Sequence, residues 1–123
     1  MDVMELGGTP VLVVGADDEV VSMRSINDVL AAAFNGGAAT IALPVDRLDP
    51  DFFELRSGVA GEIAQKVVNY GQRLVIVGEL PELATTSRSF SGFVLEGNRG
   101  DRHWFVASLD ELGERLAARR RHS

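Results

Sequence analysis

The sequence contains no cysteine. That excludes disulfides, thiolate nucleophiles and cysteine-ligated zinc. Its two histidines, His103 and His122, are too few and too far apart for a histidine-based metal site. The apolar runs are short and broken by glycine, proline or charge, and none approaches the ~20 residues of a membrane helix. Met1 to Gly8 carries Asp2 and Glu5 and lacks the basic start of a secretory signal. A cytoplasmic protein with no membrane partner is the expectation. The net charge of −6 lacks the basic face of a nucleic-acid binder, so no nucleic acid is expected either. Arg119, Arg120, Arg121 and His122 run against that charge and read as solvated cations suited to a helix C-terminus.

Several chemistries are missing as patterns. Gly15 and Gly78 each follow an apolar run, but neither belongs to a dinucleotide fingerprint or a P-loop. There is no G-x-S-x-G elbow and no H-E-x-x-H pair. No cofactor or metal is expected, and no residue is assigned as catalytic. His103, at a strand start, reads as a packed or surface histidine.

What is present is ordinary globular composition: 123 residues, 46% hydrophobic and 24% charged. One domain spans 1–123, with 116–123 set apart as a basic end that need not be ordered. Val3–Leu6 and Val11–Val14 read as a hairpin around Gly7, Gly8 and Pro10. Ser22 reads as the cap of a helix carrying Met23, Ile26, Leu30, Ala33 and Phe34, stopped by Gly36–Gly37. Thr40–Leu43, Leu74–Val77 and His103–Val106 read as strands. Phe52, Phe53 and Leu55 suggest a short turn on the core. The chain is expected as a monomer or a homodimer, a dimer being supported by exposed edge strands and the apolar Phe52 and Phe53. A helix from Ser57 to Tyr70 carries Val59, Ile63, Val67 and Tyr70 on one stripe. Pro81–Thr86 reads as a loop, and Phe90, Phe93 and Val94 as a third helix weakened by Gly92 and Gly97. Ser108 to Glu111 is a capping box for a last helix lined by Leu109, Leu112 and Leu116. The order β-β-α-β-α-β-α-β-α gives an α/β fold with a mixed, mostly parallel sheet.

Two segments are richer than a scaffold requires. The first runs from Arg56 to Tyr70. Small residues at Ser57, Gly58, Ala60 and Gly61 would let the helix start approach another backbone. Free amides there favour an anion, which makes Arg56, Ser57 and Gly58 an anion-binding or phosphoacceptor candidate. The plainer reading of Ser57 is an N-cap. On the polar side, Glu62 and Lys66 are spaced as an i,i+4 pair beside Gln65 and Asn69. The second segment is Glu96-Gly97-Asn98-Arg99-Gly100. Asn98 or Gly100 suits a left-handed helix cap, and Arg99 carries a planar fork for a carboxylate or phosphate.

Phe53-Glu54-Leu55-Arg56-Ser57-Gly58-Val59-Ala60-Gly61-Glu62-Ile63, followed by Arg73-Leu74-Val75-Ile76-Val77-Gly78, resembles the heart of a STAS domain, the fold of anti-sigma-factor antagonists. The resemblance implies a serine switch at Ser57, phosphorylated by a partner kinase. Leu55 and Arg56 depart from the Asp and Ser that precede that serine in STAS domains. The chain also resembles an uncharacterised bacterial family with Leu-x-[Ser/Thr]-Gly-x-Ala-Gly-Glu-Ile-x-Gln-Lys-x-x-Asn-Tyr and a later Glu-x-Asn-Arg-Gly. Those stretches stand at Leu55–Tyr70 and Glu96–Gly100.

Two expectations follow. One is a regulatory module that binds an unidentified protein partner near Ser57. The other is a small-molecule binder or cofactor-independent enzyme. Its pocket would gather Arg56, Glu62, Lys66, Asn69, Tyr70, Glu96, Asn98 and Arg99, with Glu62 as acid/base candidate.

Overall fold

The computed structural model describes residues 1–121, so His122 lies outside the described residues. Strand β1 (Asp2–Leu6) pairs antiparallel with β2 (Thr9–Val13) across Gly7–Gly8. Helix α1 (Ile26–Asn35) leads to β3 (Thr40–Pro44), and α2 (Val59–Asn69) leads to β4 (Arg73–Val77). A one-turn helix α3 (Glu82–Thr85) and helix α4 (Arg88–Arg99) lead to β5 (His103–Val106), and α5 (Leu109–Arg121) ends the chain. The sheet order is β1-β2-β3-β4-β5. The sheet is mixed and mostly parallel, as the sequence led us to expect, with every pair from β2 onward parallel.

Alternation along the strands divides the core between the two faces. Leu12, Ile41, Leu43, Leu74, Ile76 and Phe105 face α1, α2 and α4. Val11, Ala42, Val75, Trp104 and Val106 face α5 through Leu112 and Leu116. Sequential parallel strands joined by crossovers of one hand place the three connecting helices on one face. α5 then returns alone over the other.

Several local expectations shift. α1 begins at Ile26, after Ser25, because Ser22 and Ser25 bond one another instead of capping: the Ser22 amide donates to Ser25 Oγ at 2.9 Å. Phe34 is not on the core stripe; it is 77% exposed, and Val29 is buried in its place. Glu82–Thr85 is helical where a loop was expected. Residues 116–121, set apart as a basic end, belong to α5, and Leu116 is buried. Phe52 and Phe53 are buried rather than available to a dimer. They join Phe90, Phe93 and Phe105 in an edge-on aromatic cluster, with Phe52 and Phe90 ring centroids 6.3 Å apart and Phe90 and Phe105 5.8 Å apart. Such pairs add roughly 0.5–1.5 kcal/mol each beyond area burial. The cluster anchors the β3–α2 connection to α4 and β5.

One amide on the outer edge of β5 is held by a side chain. Arg102 and Val106 carbonyls accept from β4 and its flank, so Phe105 turns its amide away from the sheet. Asn98 Oδ1 accepts that amide at 2.8 Å. β1 is the open edge, with Val3 and Met4 exposed.

Candidate functional site

Asp49 begins the rim at the carboxyl end of the sheet. Its carboxylate accepts the Asp51 amide at 3.0 Å and caps a 3-10 turn, Pro50–Phe53, that buries both phenylalanines. A second turn, Leu55–Ser57, follows directly. Ser57 is exposed. Its hydroxyl donates to the Asp51 carbonyl at 2.6 Å and accepts the Val59 amide at 3.2 Å. The N-cap of α2 is Gly58, not Ser57, because the chain enters the helix through a left-handed residue at φ +83°. Nothing lies within 4 Å of a Cβ built at Gly58 or Gly61, so conformation selects glycine at 58, and the expected close backbone approach does not occur.

Arg56 is exposed, and its Nε donates to the Glu54 carboxylate at 2.9 Å. Beside it a cavity of about 360 Å³ opens between Phe53–Arg56 and Leu83, Ser87 and Ser89. Ser87 Oγ caps α4 by accepting the Phe90 amide at 3.1 Å. Leu83 is 54% exposed at the lip. Behind it, a more apolar groove of about 400 Å³ runs between α3 and α4 past Leu80, Val94 and Leu95.

The other sequence candidates do not converge. Glu62 lies in the first turn of α2, whereas Arg99 is the last residue of α4. Both helices run from the carboxyl to the amino end, so at 1.5 Å per residue the two are offset by about 12 Å along the axes. Glu62 and Lys66 form no ion pair among the described residues. Gln65 Nε2 donates instead to Asn69 Oδ1 at 2.8 Å. Tyr70 is 62% exposed rather than on the inner stripe. Asn98 faces β5, and Gly100 leaves the helix extended at φ −102° rather than left-handed. No cavity described here is lined by Glu62, Glu96 or Arg99; Tyr70 and Asn98 line different ones.

The Glu96–Gly100 stretch has instead a packing role. Gly97 is buried against His103, whose ring stacks on Phe93 with centroids 4.4 Å apart. The Gly100 carbonyl accepts Trp104 Nε1–H at 2.7 Å, and the Asn98 carbonyl accepts the Arg115 guanidinium. Asparagine and the two glycines together dock the end of α4 on β5.

The family model for the domain of unknown function DUF4180 matches residues 6–116. The chain belongs to this family. No curated protein and no solved structure matches it. The matched span runs from the end of β1 to the inner face of α5, so both stretches quoted above fall inside this DUF4180 domain.

No group of three or more side chains able to hold a metal is found among the described residues. No helix among them is long and apolar enough to cross a membrane. Among the acids of the DUF4180 domain, Asp18 is held below the usual carboxylate range, chiefly by the Gly15 amide that donates to it at 2.6 Å. Sequence reasoning missed the lining of the amino end of the sheet: Phe34, Gln72, Arg73 and Arg102. A polar Gln placed directly before a buried strand was the available signal.

Proposed function

We propose that the chain is a regulatory protein-interaction domain, STAS-like in its order of elements and working in the bacterial cytoplasm. Its partner docks on the rim formed by Leu55–Gly58 and the corner of α3 and α4, and Ser57 is the switch. One observation carries this reading: the Ser57 hydroxyl stands exposed at the rim, beside a cavity that combines Leu55 and Leu83 with Arg56. Apolar side chains ringed by polar ones suit a protein partner.

A phosphoryl group on Ser57 would remove the donor now held by the Asp51 carbonyl. It would add about 1.5–2 negative charges next to the first amides of α2 and draw Arg56 away from Glu54. The rim already carries Asp49, Asp51 and Glu54. The added charge therefore repels an acidic partner and strips the apolar lip of its cover.

The chain is incubated with ATP and host lysate, and its intact mass is read. One phosphoryl addition is expected on the wild type and none on Ser57→Ala. Partner recovery should persist with Ser57→Ala and fall at least about tenfold with Ser57→Asp. Ser57→Ala loses two exposed hydrogen bonds, about 1 kcal/mol each, which a domain this size tolerates, so the fold survives the test. An unmodified wild type, together with equal recovery for all three proteins, sinks the proposal.

A further inference from the structure

We infer that the amino end of the sheet binds a free α-amino acid with an apolar side chain. This site lies at the opposite end of the strands from Ser57 and does not depend on the reading above. Two cavities of about 320 Å³ each meet there, sharing Ala39, Gly71 and Gln72. Their combined size falls within the range of small-molecule sites. Phe34 and Tyr70 line the first, at 77% and 62% exposure. They are the only aromatic side chains among the described residues that are more than half exposed. Arg73, Asp101 and Arg102 line the second.

Gln72 lies where the cavities join and is 8% exposed. Its Nε2 donates to the Leu30 and Ala38 carbonyls at 3.5 and 3.4 Å. Its Oε1 is buried and has no hydrogen-bond partner. A buried acceptor left unpaired costs about 1–3 kcal/mol. A turn of the carboxamide toward the cavities would let a ligand N–H remove that cost.

The charges on either side of Gln72 differ. α1 ends at Asn35 and α2 at Asn69, so the negative ends of two helix dipoles converge on the aromatic side. A cation is favoured there. On the other side Arg102 is exposed, and its guanidinium makes no ion pair or hydrogen bond among the described residues. Arg73 is half-buried; its Nε donates to the Asp101 carbonyl at 2.8 Å and its Nη1 to Thr40 Oγ1 at 3.3 Å. Burial first, and then nearby Arg119, push Arg73 below the ordinary arginine range, which favours an anion beside it.

A zwitterion satisfies both sides. Its ammonium donates to Gln72 Oε1, once the carboxamide turns toward it, under the ends of α1 and α2, and its carboxylate pairs with Arg102 and Arg73. Its side chain packs against Phe34 and Tyr70, which would bury surface now facing water. A phosphate dianion fits less well, because α1, α2 and α4 all end here and their C-terminal dipoles oppose a second negative charge.

The test is an amide-resolved NMR titration of the full chain with three probes: L-phenylalanine, L-phenylalaninamide, which lacks the carboxylate, and 3-phenylpropionate, which lacks the ammonium. L-Phenylalanine is expected to shift the Gly71, Gln72 and Arg73 signals and leave Ser57 unmoved. Each analogue should bind at least about tenfold more weakly. Arg102→Gln should bring the amino acid down to the affinity of its amide, and Phe34→Ala should weaken all three probes. Both positions are exposed, so neither change threatens the fold. L-Leucine run in parallel separates an aromatic requirement from a merely apolar one, and binding of either amino acid supports the site. No shift at Gly71–Arg73 with either amino acid at millimolar concentration overturns it. Equal binding of all three probes does so too.

Discussion

Gly97→Ala is expected to lower the melting temperature of the domain, while the same substitution at Gly92, one and a half turns earlier in α4, raises it. Alanine is the better helix former by about 1 kcal/mol, and both sites are helical, so propensity alone predicts two gains. Surroundings decide otherwise. A Cβ on Gly92 meets nothing within 4 Å. A Cβ on Gly97 would lie 2.5 Å from the His103 carbonyl oxygen and closer still to its ring. The carbonyl belongs to β5 and cannot rotate aside, so the end of α4 must lift. Overpacking of this kind costs about 1–3 kcal/mol, and lifting α4 also strains the Asn98 bond to the β5 edge. At a few degrees per kcal/mol, the two variants should separate by roughly 10 °C in thermal unfolding. If they melt together, α4 does not dock on β5 as described.

The second large effect is expected at Trp104. The ring is fully buried, with the Arg115 guanidinium 4.0 Å and that of Arg73 4.2 Å from its centroid. Its indole N–H is held by the Gly100 carbonyl. Trp104→Ala removes the largest buried side chain on the face covered only by α5. The cost is about 3–5 kcal/mol, a large share of the stability of a domain this size. Trp104→Phe keeps an aromatic platform for the two arginines but loses the indole N–H, and should cost less than half as much. Urea unfolding of both variants measures the difference. Equal losses would mean that the indole hydrogen bond, rather than ring packing, dominates at this position.

The strands and the order of elements were legible because β2 to β5 each centre on a continuous apolar run bounded by glycine or a polar turn. Val11–Val14 and Leu74–Val77 announced burial on both faces. Helix starts were less legible. Ser22 and Ser57 both satisfy the composition rule for a cap, yet each uses its hydroxyl in a local turn. The left-handed step at Gly58 is a matter of backbone angle that composition does not reveal. The candidate residues on α2 and α4 shared one weakness: polarity on a helix says which side is wet, not which end of the sheet it reaches. Glu62 and Arg99 were grouped on polarity alone. Gln72 went unnoticed because a polar residue before a strand resembles any loop residue until its burial is known.

The Asn98 side chain that accepts the Phe105 amide occupies one bonding position on the outer edge of β5. An incoming backbone would have to displace it there, whereas β1 asks for no such displacement. Two copies that add strands to one another through a two-fold axis would therefore join at β1 in preference to β5.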